Sequence, residues 1–576
     1  MQPAHILYPA TQADLVLAVQ YARDAGIAIA VRSGGHSYDG SSSTSGRNIQ
    51  VDTTACDACR VWSFDPAAKQ LTFGTGWKLG QVEENLQTGY QGLPTKGYFF
   101  AHGNCAGVGV GGHLHTGGYA MQSRSFGLFI DYVVSFRIIT ADGLVRDIHK
   151  PNKALPDADN DDLWFSLLGG GPGSFGLCIQ VTVRLRHDSE FPGSRASMQT
   201  YVWTRRTGTQ LVQALLQHLA EVSDRDELPA DFCLHVSLAS AAPRYLQWSN
   251  IVRDAATTVR SAWERVLSTR SRADDSARAK LAGKALAALR AVFGTSGGRN
   301  PLLEASVIPL VIVQASWNGL DGGRAEDDPR VAAVFASLEA VARPFLPKGP
   351  LGTLLGRMLR IVDWRKHTPI TSIIDAFTFR GEREFDLPYL KRNWAGYSRD
   401  VAQRRFAAES AQLFGRFTHH VMSPASEPWD GTAVVCAWGY LGGTHSNVRR
   451  FAADTQTAMP HRDSRIAWMT DYFYDPAVPG ARDRLAALVQ DYDTKVVGSD
   501  AAFFSTRDGR FMFDPFDVTR TDGVTSLDRL HEHFYNDQTT YQRVLATKRR
   551  LDPTGVFSPS VFSVGTAATD AAAQPD

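Results

Sequence analysis

The sequence predicts an α+β protein built as two domains, on three observations. Its 576 residues exceed what one hydrophobic core usually serves. Over residues 1–190, helix and strand signals are mixed without the even alternation of a doubly wound parallel sheet. Between residues 255 and 293 the composition then shifts to alanine and arginine, with few strand formers.

The elements follow in order. "TQADLVLAVQYARDA" opens with a T-x-x-D capping pattern at Thr11 and Asp14, places Leu15, Val19 and Ala22 on one helical face, and stops at Gly26. "IAIAV" reads as a buried strand that delivers the chain into a Gly-Gly-His loop. Further strands are expected at "NIQVD", "VWSFD", "QLTFG", "YVVSFRIIT", "LVRDI" and "FGLCIQVTVRLR". In the region 255–293, Leu281, Ala285, Leu289 and Val292 recur at helical spacing, which predicts helices covering a sheet. "YQRVLATKRRLDPTGVF" predicts a last helix ending before Pro553, and residues 566–576 read as a disordered tail.

Composition excludes several function classes. Sixty basic against 59 acidic residues, with no long run of either sign, give no reason to expect nucleic acid or an anionic membrane as partner. No apolar stretch is long enough to span a bilayer, and the first residues lack the zones of a signal peptide, so the chain reads as untargeted. Six cysteines are too few for a disulfide scaffold. Cys56 and Cys59 form a CxxC without a second one to complete a zinc site, which reads as a thiol pair or a local disulfide.

Two glycine-rich loops carry the chemistry. "VRSGGHSYDG" offers His36 on nearly bare backbone, and "GNCAGVGVGGHLHTGG" offers Cys105 in the same setting. Glycine at such density lets backbone amides approach a bulky anionic ligand. A G-x-G-x-x-G at Gly107, Gly109 and Gly112 is rejected as a dinucleotide fingerprint, because no strand leads into Gly107 and no convincing helix follows Gly112. A metal site from Cys105, His113 and His115, with His-x-His on a strand, leaves the glycines without a purpose, so no metal is expected. A thiolate and an imidazole beside an electrophilic ring could each form a covalent bond to it.

"RSGGHSYDGSS", "GNCAGVGVGGHLHTGGYAMQSRSFGL", "DLWFSLLGGGPGSFG", "MPHRDSR" and "YQRVLATKRRLDPTGVF" occur in this order. Together they resemble the berberine bridge enzyme branch of the vanillyl-alcohol oxidase flavoprotein family. The resemblance implies a two-domain FAD-linked oxidase fold. Its parts would be an FAD-binding domain at 1–190, a substrate domain at 195–500 with an antiparallel sheet backed by helices, and a return to the FAD domain at 505–565. It also implies residues preceding Met1 that this chain lacks. Most specifically, it implies FAD bonded twice, to His36 through the 8α-methyl carbon and to Cys105 through ring position 6. Arg32, Ser33, Gly34, Gly35 and Ser37 would cradle the pyrophosphate, with Gly109, Gly111, Gly112, His113, Gly117 and Gly118 lining the cofactor.

The activity implied is an oxidase. Hydride would pass from an alcohol or sugar hemiacetal carbon, in an oligosaccharide or a glycosylated secondary metabolite, to flavin N5, and O2 would reoxidise the flavin to give H2O2. A flavin dehydrogenase with another acceptor, or a catalytically silent flavin-bearing protein using the 255–293 insert to bind a partner, stand as alternatives. The chain departs from the family at the base: Phe451 replaces a glutamate ten residues before His461, and Phe511 and Asp514 replace members of a Y-x-N-Y motif. Leu168 stands where an arginine precedes the glycine run. Tyr119, which matches a substrate-side tyrosine of the family, and Asp471, Tyr472, Tyr474 and Asp514 are therefore the candidate bases.

Overall fold

The computed structural model describes residues 2–37, 40–240, 309–345, 363–369, 373, 387–396, 405–421, 431–492, 494–495, 534–535, 537–560 and 563–565. The expected insert at 255–293, Phe511, Asp514 and the tail at 566–576 lie outside these residues.

The first part of the chain carries three small sheets. β1 (Pro3–Leu7) and β2 (Ile29–Arg32) flank β3 (Gly46–Asp52) in parallel. β4 (Trp62–Asp65), β5 (Gln70–Gly74), β7 (Val133–Ile139), β8 (Val145–His149) and β9 (Leu177–Arg184) form an antiparallel sheet in the order β4-β5-β9-β7-β8. The short strands β6 (Tyr98–Phe99) and β10 (Arg186–His187) pair with each other. The helix Gln12–Ala25 is closed at its start by the reciprocal Thr11–Asp14 capping box and at its end by Gly26 at φ +60°. Its buried face, Leu15, Val19 and Ala22, packs on Ile29, Ile49 and Val51.

The chain end completes this unit. Val556 and Phe557 join the same core, and the Ile29 amide donates to the Val556 carbonyl at 2.7 Å. Lys548, on the helix Gln538–Leu551, is buried with its Nζ 2.5 Å from Asp552 and 2.7 Å from the Ser174 carbonyl. A buried ammonium is tolerable because both a carboxylate and carbonyls receive its protons.

The second part is one antiparallel sheet of seven strands. β11 (Arg195–Val202), β12 (Phe232–Ala239), β13 (Leu310–Trp317), β14 (Asp363–Pro369), β15 (Tyr389–Gly396), β16 (Thr432–Tyr440) and β17 (Ile466–Tyr474) lie in the order β14-β11-β13-β12-β16-β17-β15. Side chains alternate across it. Leu234, Val236, Val311, Val313, Val434, Trp438 and Trp468 face the helices Gly208–Arg225, Pro329–Ala342, Phe406–Val421 and Ala481–Tyr492 in one apolar core. The opposite face presents His235, Ser237, Gln314, Lys391, Asn393, Met469 and Asp471 toward the first unit.

Arg124 fastens the two units. It is fully buried in the short helix Ser123–Phe126 and donates to the carbonyls of Leu228 (2.6 Å), Phe232 (2.8 Å) and Gly442 (3.1 Å). Arg462, from the "PHR" motif, is held 2.8 Å from the Asp131 carboxylate of the first unit. The Arg124→Ala substitution leaves several buried carbonyls without donors. It is expected to lower stability by roughly 3 kcal/mol, read as an earlier urea midpoint, with Arg124→Lys restoring less than half because an ammonium cannot fork across three carbonyls on two segments.

Candidate functional site

The two glycine loops meet backbone to backbone. A side-chain carbon on Gly34 would stand 2.2 Å from the Gly109 nitrogen, and one on Gly109 would stand 2.2 Å from both the Gly34 nitrogen and Ser33 Oγ. No residue but glycine can occupy either position without parting the loops. A carbon on Gly107 would lie 2.8 Å from His36 Nε2, so the imidazole rests against the loop that carries Cys105, two residues away.

Thr75, just past β5, clamps this crossing from below. Its carbonyl accepts from Ser33 Oγ at 2.7 Å and from the Gly111 amide at 3.2 Å, one bond to each loop. Its hydroxyl donates to the Cys178 carbonyl at 2.6 Å. The loops therefore hang on the five-stranded sheet rather than on each other alone.

A cavity of ≈ 250 Å³ opens over the crossing. Ser33, Gly34, Gly35, His36, Ser37, Cys105, Gly109, Gly111, Gly112 and His113 line one wall, and His235, Gln314, Lys391, Asn393 and Asp471 line the other. Cys105 is partly exposed there, whereas the other five cysteines are buried. Gly112 meets nothing within 4 Å of an added carbon, since it opens on the cavity.

Three expected cofactor contacts lie elsewhere. Arg32 turns to Asp52, 3.8 Å from its carboxylate, and its guanidinium backs onto Gly35 instead of lining the cavity. Gly117 and Gly118, at φ +85° and +74°, are needed for close packing against Met459 and Phe129, behind the cavity wall.

His113 and His115 sit on a short helix, Val110–His115, not on a strand. That corrects two expectations: a helical turn does follow the glycines, and positions i and i+2 of a helix do not share a face. His113 Nε2 accepts from the Gly103 amide at 2.8 Å, and His115 Nδ1 accepts from the Gly173 amide at 2.9 Å. Burial pulls the two imidazoles down to about 3 and about 4, so both are neutral. With Nδ1 accepting, His115 Nε2 carries a proton, and this buried N–H has no partner among the described residues although His115 lines the cavity. An orphaned donor beside bare glycine backbone fits a cofactor rich in acceptors.

The candidate bases separate by strand parity and partner. Tyr119 lines the cavity, and burial pushes its phenol up, which favours a donor over a base. Asp471 also lines the cavity, but its carboxylate is 2.5 Å from Lys391 Nζ, its directly opposite neighbour on β15. Tyr472 is corrected: one residue on, it points to the opposite face and is fully buried in the helix-side core. Tyr474 packs at the edge of that same core.

Sequence reasoning missed His235. Its Nε2 lies 2.6 Å from the Met121 carbonyl, which fixes the proton on that nitrogen. Nδ1 then keeps a lone pair and lies over Gly439, where an added carbon would be 2.6 Å from Nδ1 and 3.3 Å from the Tyr119 hydroxyl. Burial pulls this imidazole down to about 4. The signal was present in "FCLHVSLA", a strand whose polar residues fall on alternate positions.

Residues 3–149 match the FAD binding domain family. Berberine bridge enzyme-like 19 of Arabidopsis thaliana is 32% identical over 185 residues, 32% of this chain and 30% of the relative. Berberine bridge enzyme-like D-2 of Nicotiana tabacum is 28% identical over 243 residues, 42% and 39% of the two chains. The matched segment thus spans about a third of the length of these curated relatives. Among solved structures, a chitooligosaccharide oxidase is similar at a TM-score of 0.58 with 17% identity, over 98% of this chain and 92% of the other. A glucooligosaccharide oxidase from Acremonium strictum, described with a 6-S-cysteinyl, 8α-N1-histidyl FAD, is similar at 0.59 with 16% identity, over 98% and 92%. At such identities the shared property is the fold. FAD is the cofactor of the first unit, and the resemblance read from the five motifs holds in sequence over its loops and in fold over the chain.

Gly109→Ala is expected to part the loops and lower bound flavin, measured as absorbance near 450 nm per protein, by at least tenfold, while Gly112→Ala keeps the thermal midpoint of the parent. Acid should destabilise the protein through its neutral histidines. Between the ordinary histidine value of 6.5 and about 4, the unfolded chain takes up protons that buried His113, His115 and His235 refuse. Stability is then full above pH 6.5 and falls as pH drops, by about 1.4 kcal/mol per pH unit for each such ring. Thermal midpoints measured from pH 8 to pH 4 should show this slope, and His113→Asn should flatten it.

Proposed function

We propose that this chain is an FAD-dependent oxidase that removes hydride from a hydroxyl-bearing carbon of a carbohydrate, with the flavin bonded to both His36 and Cys105. The observation that carries this reading is one cavity with His36 and Cys105 on interlocked loops on one side and a hydrogen-bonding sheet face on the other.

Bound FAD would supply the hydride acceptor, and O2 would restore it with release of H2O2. His36 and Cys105 would tether the ring, and Ser33, Gly34, Gly35 and Ser37 would offer backbone to its phosphates. His115 Nε2 would donate to one of its acceptors. Gln314, Asn393, Ser237 and the Lys391–Asp471 pair lie on neighbouring strands, buried and polar, as a polyhydroxylated substrate requires. An apolar alcohol would displace water from these polar groups without replacing its hydrogen bonds, at about 1–3 kcal/mol for each bond lost.

The substrate hydroxyl must lose a proton as hydride leaves. His235 is placed to take it, because its Nδ1 lone pair is held by the Met121 bond and is free of a proton at neutral pH. The Tyr119 hydroxyl beside it would hold the substrate oxygen in line. Asp471, tied to Lys391, would serve binding instead.

Acid-precipitated protein is expected to stay yellow. His36→Ala and Cys105→Ala should each keep one flavin bond by peptide mass, and the double variant should release FAD. A panel of oligosaccharides and simple alcohols should give peroxide with sugars, whereas turnover only with an added electron acceptor would make the chain a dehydrogenase. With the substrate so found, His235→Gln, which keeps a donor for Met121, should slow anaerobic bleaching of the flavin by about 10²–10⁴-fold. Bleaching at the parent rate would remove His235 from the reaction.

A further inference from the structure

The CxxC at Cys56 and Cys59 plays no part in the function above, yet it lies directly under the loop crossing. Both side chains are fully buried, and the structure holds them as free thiols. The Cys59 amide donates to the Cys56 carbonyl at 2.9 Å, which closes a single 3-10 turn at Asp57–Cys59 and holds both cysteines in one apolar core.

Cys59 is packed into the turn that carries Thr75. A carbon on Gly74 would stand 2.0 Å from the Cys59 carbonyl oxygen, and one on Gly76 would stand 3.2 Å from Cys59 Cβ. The Gly76 amide donates to the Cys59 carbonyl at 2.9 Å, so the cysteine backbone is tied to the turn Gly74–Gly76 that carries Thr75. Thr75 is the residue whose carbonyl holds both glycine loops. The thiol pair thus packs on the turn that holds the clamp.

We propose that Cys56 and Cys59 form a dithiol–disulfide redox site whose state is transmitted through Thr75 to the two glycine loops. The oxidant is hydrogen peroxide. Cys56, as thiolate, attacks one peroxide oxygen; the O–O bond breaks, the leaving oxygen departs as water after taking a proton, and Cys56 becomes a sulfenic acid. Cys59 sulfur then attacks Cys56 sulfur, the S–O bond breaks, and a second water leaves with the Cys59 proton. Two thiols have lost two electrons, the peroxide has gained them, and one S–S bond has formed. The Cys59 thiol beside it lowers the Cys56 thiol, and Cys56 together with burial raises Cys59, which separates attacking from resolving thiol. Forming the disulfide shifts Cys59, whose carbonyl is wedged against Gly74 and bonded to Gly76, and so loosens the turn that carries the Thr75 clamp.

The test uses the full chain and added H2O2, so it stands whether or not the flavin reading does. Asn48–Arg60 is one tryptic peptide holding both cysteines. After peroxide, unfolding and alkylation, it should lack both alkyl groups, be two hydrogens lighter than the dithiol and regain both thiols with dithiothreitol, at least tenfold faster than Cys178, Cys233 or Cys436 reacts. In the oxidised protein, amide exchange in the loops at 31–37 and 103–118 should rise at least threefold. Full alkylation of both cysteines after peroxide, a Cys59–Cys178 link, or a disulfide with unchanged loop exchange would each overturn the proposal. Cys56→Ser should abolish the cross-link, and Cys56→Ala serves if the serine variant does not fold.

Discussion

The contact between Gly34 and Gly109 is the constraint from which the site follows. Two backbones at van der Waals distance leave no room for a β-carbon, so both loops must be glycine there. A glycine-rich loop alone would sample many conformations, at about 1–2 kcal/mol of entropy per ordered residue. Anchorage offsets that cost: the Thr75 carbonyl takes one bond from each loop, and Thr75 is in turn held by β9 through Ile179 and Cys178. Rigid sheet thus supports bare backbone, which is what a large anionic cofactor needs to approach closely.

The second unit solves a complementary problem. A sheet whose two faces were both apolar could be stable but could not hold a polar substrate. Here one face makes a dense core with four helices, and that burial supports an opposite face carrying His235, Gln314, Lys391, Asn393 and Asp471 away from water. The lysine and aspartate neutralise each other across adjacent strands, which makes their burial tolerable. Arg124 and the Asp131–Arg462 pair then hold this face over the loops. Charged side chains buried at the joint give it directional bonds that an apolar joint would lack.

Electrostatics in the cavity favours neutral rings. His113, His115 and His235 are all held unprotonated by burial, each with its tautomer fixed by one backbone partner. Neutral rings with assigned donors and acceptors can position a cofactor and accept a proton. The same burial keeps the Tyr119 phenol protonated, so it divides the roles of donor and acceptor between neighbours over Gly439.

Local pattern determined much of this from the sequence alone. The Thr11–Asp14 box, the Gly26 stop and the strands around "NIQVD" and "FGLCIQVTVRLR" depend on near neighbours, so they were legible as written. The His36 and Cys105 loops were legible because nothing but close backbone approach asks for such glycine density. What only tertiary structure decided is which side chains share the cavity. Tyr472 and Asp471 are adjacent in sequence, yet strand pairing sends one to the helix core and the other to the site. His235 and Thr75 bear no motif, and each acquires its place from partners far along the chain, Met121 and Ser33. Sheet register and domain docking are non-local, and a sequence read in windows carries no record of which face will be covered by what.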